Sequence, residues 1–301
     1  MADQGRLINA ALAKAAIHGH ASVRLWAVRS VSFSCRLASV VEAREGQPGL
    51  PMSKAIEELA YSRTAMGELS LRRRSLSSHD GDIFEIKLGD AFLMSSLFTE
   101  GEIALAELGL RSVNGTELDV VVGGLGLGYT ARAALRDARV RSLLVVETME
   151  DVIEWHRKDI VPLGKVLTAD SRCRLLHGDF FAIFGVSYRS RDPHAPGRKF
   201  HAILVDIDHS PRSLLAERHG TFYEAEGQRA VATHLHPGGA FALWSNDSPD
   251  DDFLSVLQTV YEQAHAHVVT FDNPLQNRQA SSTVYVARAK LELPQAHRPP
   301  A

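Results

Sequence analysis

The stretch from Val120 to Leu135, VVVGGLGLGYTARAAL, constrains the fold more than any other part of this 301-residue chain. An apolar run enters Gly123-Gly124-Leu125-Gly126-Leu127-Gly128 and passes at once into an Ala/Leu/Arg helix pattern, so it reads as strand, glycine turn and helix. Such a unit brings backbone N–H groups at a helix N-terminus close to whatever lies over the turn. The spacing Gly124-x-Gly126-x-Gly128 departs from the dinucleotide pattern G-x-G-x-x-G. The glycines alone therefore leave three ligands open: a dinucleotide, a phosphate, or a group with no phosphate.

Around this unit, apolar strands alternate with helices. LDVVVGG, SLLVVE, CRLLHG, FHAILVDI and GGAFALWSN read as strands. Between them YTARAALRDA, MEDVIEWHRKDIV, TFYEAEGQRAVATHL and DDDFLSVLQTVYEQA read as helices. Alternation of this kind implies a parallel, doubly wound α/β sheet. HVVTFDN and STVYVARAK add a closing antiparallel hairpin, giving the Rossmann-like seven-stranded arrangement of the methyltransferase type. Upstream, GELSLRRRS, IFEIKLGD and AFLMSS suggest a small antiparallel sheet of two or three strands, with Arg72–Arg74 on a solvated face. EGEIALAELGL reads as a helix, with Thr99 as N-cap and Glu102 completing a capping box.

Three acids narrow the ligand. Glu147 lies nineteen residues past Gly128 at the end of the second strand, where a carboxylate can accept ribose hydroxyls. Asp179, in HGDFF, ends the third strand, and Asp206 ends the fourth. In open α/β sheets these strand ends share one crevice. A pyrophosphate would be repelled by so many carboxylates, while a sulfonium or ammonium would be attracted. The reading is an S-adenosyl group held by Gly123, Gly124, Gly126, Gly128, Glu147, Thr148, Asp179 and Phe180.

With those motifs in place, the run from about Asp82 to Arg288 resembles the spermidine synthases, the polyamine aminopropyltransferases. The resemblance rests on LFTEGE, GGLGLG, VVETMEDVIEWHRKDIVPLG, GDFF, and VDIDHSP followed by FYEAEGQRAVATHLHPGG. It implies that Glu147 binds the ribose, that Asp179 binds the adenine amino group, and that Asp206 is the catalytic carboxylate that helps deprotonate an attacking amine. It also implies decarboxylated S-adenosylmethionine as co-substrate, no metal, a small-molecule amine such as putrescine as acceptor, and a homodimer. Asp208, Glu100 and His209 are the candidates for holding the amine.

Departures from the family pattern fall on the substrate half. Gly126 stands where the family has Asp, Leu97 stands where Gln is common, and Ala106-Glu107 replaces Tyr-His. The loop Asp206-Ile207-Asp208-His209-Ser210-Pro211 is one residue longer than usual. Methyl transfer from S-adenosylmethionine is the rival reading, and an adenosyl-binding relative without chemistry is a third. No Asn/Asp-Pro-Pro-Tyr follows the fourth strand, which argues against methylation of an exocyclic base nitrogen.

A formal charge of −3 gives no reason to expect nucleic acid or an anionic membrane as partner. Cys35 and Cys173, far apart, suggest neither a disulfide framework nor a zinc site, and a cytoplasmic location is the default expectation. Asp250–Asp252, at a helix start, reads as dipole-matched capping rather than a metal site. Residues 1–51, rich in Ala and Ser and without an acid from Arg6 to Val41, have a transit-peptide-like composition but are expected to be a disordered extension outside the fold. The expected organisation is then a β segment over 52–99, an adenosyl-binding domain over 100–290, and a disordered tail over 291–301.

Overall fold

A computed structural model of the chain describes residues 56–75, 81–185 and 198–291. Strand β5 (Leu118–Gly123) is buried along its whole length, as its unbroken apolar run requires. It pairs in parallel with β6 (Val140–Glu147) on one side and β8 (Phe200–Val205) on the other. Beyond these lie β7 (Cys173–His177) and β9 (Leu235–Ser245), also parallel. Two antiparallel strands, β11 (Arg278–Arg288) and β10 (Gln263–Asn273), complete the order β10-β11-β9-β8-β5-β6-β7. This is the seven-stranded sheet that the alternation of strands and helices predicts.

Parallel neighbours need crossovers, and helices supply them. In chain order these are α1 (Glu100–Arg111), α2 (Tyr129–Arg136), α3 (Glu150–Arg157), α4 (Gly164–Thr168), α5 (Phe180–Phe184), α6 (Ala225–Thr233) and α7 (Asp251–Val260). Four of the five expected helices are shorter than their sequence patterns. The one read through Ala138 ends at Arg136, and the one read through Ala264 ends at Val260 because β10 begins at Gln263. Two more depart for reasons visible in the backbone. The first, read through Val161, stops after Arg157, because Asp159 turns left-handed at φ 57°. The other, read from Thr221, begins as a 3₁₀ turn over Glu217–Tyr223, and extended backbone at Glu224 separates it from α6. Phe222 and Tyr223 are both buried there, and the Tyr223 hydroxyl donates to Asp208, which fixes this turn apart from the helix.

The small sheet has four strands rather than two or three: β1 (Glu57–Thr64), β2 (Gly67–Ser75), β3 (Asp82–Leu88) and β4 (Ala91–Ser95), antiparallel in that order. Strand β1, EELAYSRT, carries little β-branched character and no fully buried residue, so its pattern is weak in sequence. The solvated arginine face is only partly right. Arg72 and Arg73 pair with Glu58 and Glu57 of β1, whereas Arg74 is mostly covered and pairs with Glu85. Leu69, Leu71 and Ile86 of this sheet share one apolar cluster with Leu105, Leu110 and Leu127, so the small sheet and the large one pack on a common core. Asp250 caps α7 by accepting from the N–H groups of Asp252 and Phe253, as expected of that acidic start. Among the described residues no helix is long and apolar enough to cross a membrane. The extension over 1–51 and the tail beyond Leu291 lie outside the described residues.

Candidate active site

The carboxyl ends of β5, β6, β7 and β8 open into one cleft that is continuous with solvent. The glycine turn forms its floor. The Gly124 N–H donates to the Val146 carbonyl and the Asp206 N–H to the Gly123 carbonyl, so three strand ends are tied together here. Gly124 adopts φ +91°, and a Cβ there would stand 2.1 Å from the Asp206 carbonyl oxygen. Gly124→Ala is therefore expected to destabilise the protein by about 1–3 kcal/mol from the backbone conformation alone, with the clash adding to it. A urea unfolding midpoint equal to that of the wild type, at unchanged m-value, would contradict this.

Glu147 is 6% exposed and anchors the turn. One carboxylate oxygen accepts from the Leu125 N–H at 2.9 Å and the other from the Met149 N–H at 2.9 Å. Burial pushes its carboxyl above the ordinary range, while these backbone N–H groups pull the other way. Asp179 caps α5 through the N–H groups of Phe181 and Ala182, and its second oxygen lies 3.3 Å from Arg218. Asp206 accepts from the Thr130 hydroxyl at 2.7 Å, and burial raises its carboxyl to about 6. Gly124, Gly126, Glu147, Thr148, Asp179, Phe180, Asp206 and His209 all line the cleft. Burial lowers the imidazole of His209.

Four candidates are not brought to the cleft wall. Gly123 packs its backbone under the Phe180 ring, and Gly128 packs against Leu167 and His156 behind the turn. Glu100 is exposed on the first turn of α1 and accepts from the Thr99 N–H. Asp208 is 2% exposed and fully engaged. It accepts from the Leu215 N–H at 2.7 Å, the Tyr223 hydroxyl at 2.9 Å, and Nδ1 of His219 at 2.9 Å, which puts the imidazole proton on Nδ1. It fixes the loop after β8 instead of facing an amine. The short polar loop sequence gives no sign of this, because two of its partners come from the 3₁₀ turn downstream.

The capping box at Thr99 is corrected as well. The Thr99 side chain makes no cap hydrogen bond, and Glu102 points into the fold with 9% exposure, lining the cleft. Burial and the neighbouring Asp206 hold its carboxyl well above the ordinary range. A signal for this lies in the helix period: Glu102 shares the buried stripe of α1 with Leu105, Ala106, Gly109 and Leu110. A capping Glu would sit off that stripe, as Glu100 does. The Trp244 indole lies against Gly101, where a Cβ would be 2.3 Å from Nε1, and closes the cleft beside Glu102. Met94 of the small sheet completes the wall, its sulfur accepting from the Leu127 N–H at 3.1 Å. It also fills the space over Gly126, where a Cβ would stand 2.7 Å from that sulfur. Behind the turn, fully buried His156 donates from Nε2 to the Gly126 carbonyl at 2.9 Å. Among the described residues no group of three or more His, Cys, Asp or Glu side chains is arranged to hold a metal ion.

No family model matches the chain. It is 29% identical over 162 residues to polyamine aminopropyltransferase 2 of Pseudomonas aeruginosa, an alignment that covers 50% of this chain and 42% of that protein. The chain thus spans less than half the length of the curated relative it matches. Among solved structures it is similar to a spermidine synthase in complex with the transition-state analogue AdoDATO, with a TM-score of 0.58 and 15% identity over 78% of this chain and 74% of that one. The spermidine synthase of Thermotoga maritima gives a TM-score of 0.56 and 14% identity over 78% and 73%. The chain has the fold of the spermidine synthases and, over half its length, the sequence likeness of a polyamine aminopropyltransferase.

Proposed function

We propose that this protein transfers an aminopropyl group from decarboxylated S-adenosylmethionine to a small amine. The observation that carries the proposal is the charge of the cleft. Glu147, Asp179, Asp206 and Glu102 face one space, and among the described residues the only arginine or lysine on its lining, Arg218, is engaged by Asp179. Such a wall suits a sulfonium and an ammonium and opposes a pyrophosphate. The residue types fit the adenosyl part too: Glu147 is a carboxylate on the cleft wall at the end of the strand beside the glycine turn, a group that accepts from ribose hydroxyls, and Asp179 stands at the next strand end for an exocyclic amine.

The co-substrate would supply an activated propyl carbon next to a positively charged sulfur. The acceptor nitrogen forms its bond to that carbon, the carbon–sulfur bond breaks with its electron pair going to sulfur, and the nitrogen sheds a proton. An alkylamine is protonated near neutral pH, with a pKa of about 10, so a base close to the cleft is needed to free the lone pair. Asp206 is our candidate for that base. Its Thr130 contact orients the carboxylate, and its carboxyl, raised to about 6, is ionised at pH 7 yet more basic than a solvent-exposed Asp.

The test is to incubate the protein with decarboxylated S-adenosylmethionine or with S-adenosylmethionine and a panel of mono- and diamines. Methylthioadenosine formation that requires both the decarboxylated form and an amine is the expected result. S-adenosylhomocysteine from the ordinary cofactor, with no methylthioadenosine under any condition, would establish methyl transfer instead.

A further inference from the structure

We infer that Glu102, paired with Asp206, is the residue that receives a primary ammonium in this cleft; the inference rests on the aminopropyl-transfer reading above. Glu102 stands on the apolar stripe of α1, 9% exposed and on the cleft wall. A carboxylate in such a place is disfavoured unless something compensates its charge. Nothing within the described residues does so. The hydrogen bond to its carboxylate comes from its own backbone N–H. The titratable groups facing it are Asp206 from the end of β8, Glu100 from its own helix and the Tyr129 hydroxyl from α2, and none is a cation. Asp206 is in the same position, since its hydrogen-bond partner is the neutral Thr130 hydroxyl.

Two carboxyl groups on one cleft wall, each acting on the other's charge with no cation between them, oppose simultaneous ionisation, so the free pair retains a proton. The raised Glu102 carboxyl agrees with this. A primary ammonium supplies the missing positive charge and three N–H donors, and its arrival releases that proton. A sulfonium has no N–H to offer and cannot satisfy the pair alone. The adjoining wall of Leu93, Met94 and Trp244 is apolar and matches the methylene chain that would carry such an ammonium. Two ligands can bring it: the aminopropyl arm of the co-substrate, or the acceptor.

Titration calorimetry on the full chain separates these sources. One arm compares methylthioadenosine with the same thioether carrying a 3-aminopropyl group on sulfur in place of the methyl. The other adds putrescine to protein saturated with methylthioadenosine. In at least one arm the ammonium should bind to the wild type with release of about one proton per molecule at pH 7, read from the dependence of the heat on buffer ionisation enthalpy. Methylthioadenosine alone should release none. Glu102→Gln should weaken that ammonium at least tenfold and abolish the proton release, with methylthioadenosine affinity within twofold of wild type. Binding without proton release, or amine affinity unchanged in Glu102→Gln, would overturn the inference and leave aminopropyl transfer standing, whereas failure of both amine arms to bind would overturn the inference and count against that reading as well. Failure of every adenosyl ligand to bind the wild type would overturn both. The proton count is made on the wild type, so it does not depend on how the variant folds.

Discussion

Asp206→Asn is expected to lower turnover by about 10²–10⁴-fold, the usual loss when a general base is removed. The change is nearly isosteric. An amide can still accept from the Thr130 hydroxyl, so the pocket keeps its shape, and methylthioadenosine affinity should stay within a few-fold of wild type. The sign of the accompanying pH dependence follows from the raised carboxyl of Asp206, at about 6. Below that value the base is protonated and cannot take the amine proton, so kcat/KM of the wild type falls as pH drops through about 6. Above it, activity rises further as more acceptor amine becomes neutral. The variant should lose the acid limb near 6 and keep the alkaline rise that belongs to the amine. A variant with wild-type turnover, or one that retains the limb near 6, would remove Asp206 from proton transfer.

How far the sequence reaches is visible in where it succeeds. The glycine turn, Glu147, Asp179 and Asp206 are legible because each is tied to the end of an apolar strand, and strand ends in a parallel sheet face one crevice whatever the loops do. Asp208 and Glu102 are misread for the opposite reason. Both are acids whose role depends on which way one turn of chain faces. Asp208 is claimed by His219 and Tyr223, eleven and fifteen residues downstream, through a 3₁₀ turn that reads in sequence as part of a helix. Glu102 satisfies the spacing of a capping box and the spacing of the buried stripe together, and only its place on the cleft wall with Asp206 and Trp244 decides between them. The walls from Met94 and Trp244 come from a small sheet and a late strand far from the glycines, and no local pattern announces them. Met94 also gives a physical account of one departure from the family pattern: with its sulfur over Gly126, a side chain at 126 would have to displace it.

Glu147 carries the second large effect, and the structure changes its expected form. Were Glu147 a ribose ligand and nothing more, Glu147→Ala would abolish adenosyl binding and leave the fold intact. The carboxylate, however, also accepts the Leu125 and Met149 N–H groups in a site that is nearly closed to water. Truncation strands both donors, and an unsatisfied buried donor costs about 1–3 kcal/mol. Glu147→Ala should therefore destabilise the protein by about 2–5 kcal/mol as well as lose measurable affinity for methylthioadenosine. Glu147→Gln separates the two roles. Its amide oxygen can satisfy one of the backbone donors, but its NH₂ must face the other, so about half of the stability loss should remain. The two ribose hydroxyls then meet one acceptor instead of a shared carboxylate, and affinity should still fall at least tenfold. Denaturant midpoints and calorimetry on the same preparations check both arms. Full stability with lost affinity in Glu147→Ala would show that water replaces the carboxylate at the turn, and unchanged affinity in either folded variant would take Glu147 out of the adenosyl site.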